Sequence, residues 1–308
     1  MTSASATADA VLAGLKGRRR DLKGMLFEGL LLLALFVSLS ILIVLLGDIL
    51  QGGAGLLAER GLSFLTDGMS NFSAETAGIY QGLIGSMLTL VFVVVVAFPL
   101  GIGAAVYLEE YAPDTAFTRF INVNIRNLAG VPSIVYGILG LALFVGVLQP
   151  LTGGKTAISG GLTLAVLVLP IVIITAAEAL RAVPQSIREA GFGVGATRWE
   201  VVRSHVLPSA APGIFTGVVL SISRALGETA PLLLVGAITG YISTGSQSLL
   251  EQMHSSFTTL PTVVFSYARQ PSGAYREVTS AAIIVLLAVI LLVNAIAIVL
   301  RNRYERKW

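Results

Sequence analysis

Six stretches of this chain are apolar over lengths that suit a lipid bilayer: residues 25–46, 80–107, 120–148, 158–183, 209–239 and 278–301. A helix needs about 20 apolar residues to cross the hydrocarbon core, and each run reaches that length. In hydrocarbon every backbone N–H and C=O must find its partner inside the protein, which leaves helices or closed barrels. No run shows the alternation, about ten residues long, of a membrane barrel strand. Charge is correspondingly scarce: Asp, Glu, Lys and Arg make up 12% of the chain, against about 25% in a typical soluble domain. The expected fold class is an all-α integral membrane protein with six transmembrane helices.

The distribution of positive charge orients the bundle. Lys16, Arg18, Arg19, Arg20 and Lys23 precede the first run, and Arg301, Arg303, Arg306 and Lys307 follow the last. Arg181, Arg188, Arg198 and Arg203 sit in or beside the polar stretch 184–208. Cytoplasmic loops collect Lys and Arg, so both termini and this stretch are expected inside, as an even number of spans requires. Segments 48–79 and 240–277 then fall outside. The expected division is a cytoplasmic tail at 1–24, a first transmembrane helix at 25–46, a core at 80–301 that includes the loop 184–208, and a cytoplasmic tail at 302–308. The run 25–46 is longer than the apolar region of a secretory leader and no small-residue cleavage site closely follows it, so it reads as a retained span. Pro99, Pro132 and Pro170 lie within runs and predict kinks or breaks. Gly85, Gly101, Gly103, Gly137, Gly140, Gly217 and Gly227 predict close helix contacts.

The stretch 184–208, PQSIREAGFGVGATRWEVVRSHVLP, is built to fold. Ser186 with Glu189, and Thr197 with Glu200, have the spacing in which hydroxyl and carboxylate satisfy orphan backbone donors at a helix start. Pro184 suits a first helical turn. Gly193 and Gly195 lie where a tight turn needs freedom from a Cβ, and Pro208 is placed to stop a second helix. The spacing predicts two short helices meeting at a glycine turn. A membrane protein gains little from such a hairpin unless something docks on it, although an ordinary capped connector has the same local chemistry.

The fifth run carries Arg224 and Glu228, four apart and so on one helix face. A charge at the bilayer centre costs about 2.5–3.5 kcal/mol, and intramembrane ions normally face a bundle interior or a substrate path. Ser223 and Thr229 add hydroxyls. An arginine fork suits an oxyanion, to which it donates two parallel hydrogen bonds. A structural ion pair that fixes helix packing is the other reading of the same residues. Glu178 and Arg181, three apart near the end of the fourth run, read as a local pair at the interface, with a substrate site as the alternative. Arg126 is placed either to snorkel to headgroups or to line the path.

Other chemistries are poorly served. The chain has no cysteine and two well-separated histidines, His205 and His254, so a zinc site is not expected. Gly153-Gly154-Lys155-Thr156 ends like a phosphate-binding loop, but position 149 is Gln149 where the first glycine of that motif would stand. The chain is therefore expected to be a non-enzyme with no ATPase site and no cofactor of its own.

Several strings resemble one family. Glu189-Ala190-Gly191, then Gly195, then His205-Val206-Leu207-Pro208 resembles the EAA loop of ABC-importer permeases. Gly191 and His205 stand where that pattern usually has Ala and Ile. RALGE at 224–228 is similar to oxyanion importers in general, and its continuation Thr229-Ala230-Pro231 resembles the phosphate branch. Residues 99–113 also resemble the second-span exit of PstA-type permeases of that branch, and Val131 to Gly137 the third span of its PstA and PstC types. The resemblance implies a type I importer (MetI-like) permease fold in a bacterial plasma membrane, multi-pass. It implies ATPase coupling through Glu189, Ala190, Gly195, Thr197, Trp199, Glu200, Leu207 and Pro208, and a substrate path at Arg224 and Glu228, beside which Ser223 and Thr229 lie. The implied partners are a PstC-type permease, a PstB-type ATPase dimer and a PstS-type binding protein that delivers inorganic phosphate; no nucleic acid is implied. Relatives often carry an arginine and a second acid shortly before the residue matching Glu178, where this chain has Ile174 and Ala177. A sulfate or molybdate importer, or an ATP-independent carrier, are the alternatives.

Overall fold

The computed structural model describes residues 22–237, 251 and 253–304. Most of the expected N-terminal tail, residues 305–308 of the C-terminal tail and most of the outer stretch 238–252 lie outside the described residues. Among the described residues all regular structure is helical. The chain divides into two units, 1–51 and 52–308.

The first unit contains most of helix α1 (Leu22–Arg60). Its residues 22–51 include no buried side chain, as suits an apolar helix whose surroundings are lipid. The helix runs well past the expected end at residue 46. In the second unit the tail of α1 lies so close to the last helix that a Cβ at Gly53 would sit 2.6 Å from the backbone of Ala281. Arg60 closes the helix, donating to the Ala77 carbonyl at 2.8 Å and to Asp67 at 2.9 Å.

The second unit continues with α2 (Leu62–Thr66), α3 (Tyr80–Tyr111), α4 (Ala116–Ala129) and α5 (Ser133–Val147), then α6 (Gln149–Thr152) and α7 (Ala157–Arg181). After α8 (Gln185–Gly193) come α9 (Arg198–Gly227), α10 (Ala230–Leu234), α11 (Leu260–Ala268) and α12 (Ala274–Tyr304). Helix α7 is the centre of the bundle. Leu164, Leu167, Val168 and Val172 on it are buried against Val93 and Ala97 of α3 and Ile222 and Leu226 of α9. Among the described residues, five helices are long and apolar enough to cross a membrane.

The expected third span, 120–148, is not one helix. Helices α4 and α5 meet at 101°, and a sixth span results only if the pair is counted together. The cause lies in two places. Pro132 caps α5 in an extended conformation (ψ 136°), and the residue before a proline is kept out of the helical region. Helix α4 also carries Arg119, Asn122, Asn124, Arg126 and Asn127, and none of its residues is buried.

The expected fifth span, 209–239, shifts toward the N-terminus. Helix α9 begins at Arg198, so Pro208 does not stop the hairpin's second helix, which runs on to Gly227. A π-helical turn at Val202–Val206 widens the backbone just before the proline, so the absent N–H and the ring are accommodated without a break. Pro99 follows a π-helical turn at Val93–Ala97 in the same way within α3. Pro170 stays inside a continuous α7.

Of the seven glycines expected at close contacts, five are there. A Cβ at Gly85, Gly101, Gly137, Gly140 or Gly217 would come within 3 Å of a neighbour, whereas Gly103 and Gly227 meet nothing within 4 Å. At Gly137 the neighbour is the Cα of Pro231, 2.6 Å away, and a backbone atom cannot rotate aside. Gly137→Ala is expected to destabilise the bundle by about 1–3 kcal/mol, the scale of overpacking. A lowered unfolding temperature in detergent checks this, and an unchanged one refutes the contact.

Candidate functional site

The hairpin 184–208 is set by local chemistry at one end and tertiary bonds at the other. Thr197 accepts from the Glu200 N–H, and Glu200 Oε2 accepts from the Thr197 N–H at 2.8 Å, so this capping box forms as expected. The Ser186–Glu189 box does not. Pro184 takes the cap position with ψ 139° and no side-chain bond, which leaves Ser186 inside the first turn. Arg188 supports that region instead, donating to the carbonyls of Val183 at 2.8 Å and Leu180 at 2.9 Å. Gly195 has φ +80°. Its N–H and that of Ala196 close the end of α8 on the carbonyls of Phe192 and Gly191. Gly193 is the last residue of α8. Gly191 is buried because a Cβ there would lie 2.7 Å from Val201 Cγ2, which accounts for glycine where the family pattern has alanine.

Glu189, Ala190, Gly195, Thr197, Trp199, Glu200 and Pro208 are exposed, and Leu207 is half-buried. Sequence reasoning missed Phe192 and Val194, which are 49% and 84% exposed beside Trp199 at 56%. The three are large apolar side chains left exposed in a capped hairpin. The signal was available, since both stand in a polar stretch with no apolar run to join.

Arg181 lies within electrostatic reach of Glu178 but makes its hydrogen bonds elsewhere. It makes a bidentate bond to Glu109, at 2.6 and 2.8 Å, and Arg188 reaches Glu110 at 2.6 Å. The tandem acids were legible in sequence, but their partners are 72 and 78 residues away. Arg126 is exposed on α4.

Arg224 occupies the last turn of α9, where a cation complements the helix carbonyl end. Glu228 lies just past the helix in an extended conformation (ψ 124°), so the two do not share a helical face in the expected sense. They still pair, Nε to Oε1 at 3.2 Å, with side chains 37% and 17% exposed. Among the described residues the Nη1 and Nη2 groups of Arg224 donate to no protein acceptor. Arg181 and Arg188 each use two or more nitrogens on acceptors. Thr229 follows at the start of α10, and α5 packs over this break through Gly137 and Pro231. Ser223 turns elsewhere: its Oγ lies 2.7 Å from Asn294 Oδ1 on α12.

A family model described as binding-protein-dependent transport system inner membrane component matches residues 97–308, and the chain belongs to that family. It is 36% identical over 221 residues to a probable ABC transporter permease protein, YqgI, of Bacillus subtilis (strain 168), covering 71% of this chain and 72% of that protein. It is 34% identical over 226 residues to the phosphate transport system permease protein PstA 1 of Mycobacterium tuberculosis (strain ATCC 25618 / H37Rv), covering 73% and 70%. It is 31% identical over 281 residues to the phosphate transport system permease protein PstA of Pasteurella multocida (strain Pm70), covering 90% and 94%. Among solved structures, an inward-facing MetNI methionine ABC transporter chain is similar with a TM-score of 0.57 at 18% identity, covering 74% of this chain and 98% of that one. A bacterial alginate ABC transporter chain gives 0.61 at 13% identity, covering 91% and 96%. At these identities the structural likeness establishes the importer-permease fold.

Proposed function

We propose that the chain is one permease subunit of an ATP-driven inorganic phosphate importer, supplying half of the translocation path. The observation that carries this is the unsatisfied fork of Arg224. Its Nε is held by Glu228 while Nη1 and Nη2 remain available, the two-point donor that an oxyanion accepts. The relatives named as phosphate permeases support phosphate as that oxyanion. Arg224 attracts the anion, and Glu228 competes for the same guanidinium and so keeps binding weak enough for release. Both termini and the hairpin face the cytoplasm, in line with their basic residues.

The hairpin residues Glu189, Ala190, Gly195, Thr197, Trp199, Glu200, Leu207 and Pro208 receive the push of a PstB-type ATPase dimer. A PstC-type permease completes the path, and a PstS-type protein delivers phosphate from outside. Purified complex in vesicles tests the reading. Uptake of labelled phosphate should require ATP and resist competition by excess sulfate or molybdate. Competition by either ion would make this a permease for another oxyanion. Downhill movement with no ATPase present would make it a carrier.

A further inference from the structure

Three consecutive residues at the end of α3 grip three successive elements. Glu109 holds Arg181 at the end of α7, with Oε1 and Oε2 accepting at 2.6 and 2.8 Å. Glu110 holds Arg188 of α8, accepting at 2.6 and 3.3 Å. The Tyr111 ring lies under the Arg198 guanidinium at the start of α9, 5.2 Å from its centroid, a cation–π distance. The first two grips fall on either side of the joint Ala182–Pro184, where α7 ends and the hairpin begins. The middle pair is the most enclosed, with Arg188 and Glu110 side chains only 13% and 7% exposed. Arg188 is also bonded to the Val183 and Leu180 carbonyls. A π-helical turn at Tyr107–Tyr111 forms this end of α3, and the grips line a polar cavity of about 530 Å³.

We propose that Glu109, Glu110 and Tyr111 form a clasp that makes the end of α3 move with the docking hairpin, so that a push on the hairpin reaches α3 as well as α9. These are positioning residues for transport and touch no solute. The physical ground is the asymmetry of buried charge. Separating Glu110 from Arg188 would leave two enclosed charges unpaired, which costs far more than moving the joined pieces together. The connection α8 makes through its own backbone leads to α7 and α9; α3 shares an apolar cluster with the hairpin through Ala105 and Leu108 against Val183, Val201 and Ile187, and these three side chains add the directional, charged grip. The inference rests on the coupling role given to the hairpin above.

The test uses the whole complex in vesicles and compares the parent with the double variant Glu109→Gln, Glu110→Gln. Phosphate moved per ATP hydrolysed should fall about tenfold or more, the scale on which loss of an enclosed charge pair acts, while the ATPase stays bound and hydrolysis persists. Reversing the more exposed outer pair, Glu109→Arg with Arg181→Glu, should restore much of the ratio lost in Glu109→Arg alone.

A second measurement is independent of the solute. The chain has no cysteine, so with the other subunits made cysteine-free, spin labels at Pro113→Cys and Gly193→Cys report one distance. In the parent that distance should be the same with and without ATP, and in the double variant it should shift between the two states. The proposal is overturned if transport per ATP is unchanged, if uptake and hydrolysis fall in equal proportion, or if the ATPase is lost. It also falls if the reversed pair is no better than the single variant, or if the label distance changes in the parent. Should the parent complex move no phosphate, the functional reading falls by itself, and the label distance still decides the clasp.

Discussion

Arg224→Gln is expected to abolish ATP-driven phosphate uptake while leaving the assembled complex intact. Glutamine keeps hydrogen-bonding capacity but loses the charge and the planar fork. A charge-assisted bond contributes about 1.5–3 kcal/mol, so losing it removes about 10- to 150-fold of the affinity on which passage depends. Glu228 is left with no cation at 3.2 Å, which adds an unpaired carboxylate to the same break. Assembly should survive because Arg224 makes no other protein bond among the described residues. The readout is labelled phosphate uptake beside subunit stoichiometry. Normal uptake would remove Arg224 from the path, and a complex that falls apart would make the pair a structural one.

Glu189→Ala and Gly195→Val are expected to separate ATP hydrolysis from transport or to release the ATPase. Glu189 is exposed on α8 and joins in no ion pair among the described residues, so it is free for a partner. Gly195 has φ +80°. A side chain there costs about 1–2 kcal/mol in the left-handed region, more for a β-branched residue, and re-aims the turn that presents Phe192, Val194 and Trp199. Transport should fall about tenfold at this cost, with the fold of the bundle preserved. Co-purification of the ATPase and the ratio of solute moved to ATP hydrolysed are the two readouts. Normal values for both variants would reduce the hairpin to a connector.

What was legible in the sequence follows from how local its cause is. The Thr197–Glu200 box formed because both partners are three residues apart with no competitor. The Ser186–Glu189 box has the same spacing, but Pro184 had already taken the cap in an extended conformation. Spans two, four and six could be read from apolar length alone. The third could not, because a hydropathy run across 120–148 sums the amphipathic α4 and the apolar α5 and is blind to the turn that Pro132 enforces. The fifth was misplaced because a proline reads as a stop, and only the backbone reveals the π-helical turn before it. Arg224 and Glu228 stood out because charge is costly in that setting. The partners of Arg181 and Ser223 did not, since Glu109 and Asn294 are 72 and 71 residues distant.

Helix α9 carries Trp199 near one end and Arg224 near the other, with 30 residues in a single helix. At 1.5 Å per residue that is a rod of about 45 Å. Under the function proposed above, force applied at the hairpin travels to Arg224 along one continuous helix, by way of the π-helical turn at Val202–Val206. In that scheme engine and gate share a common shaft, and the timing of nucleotide turnover and of ion release would be tied by stiffness instead of by a chemical signal passed between them.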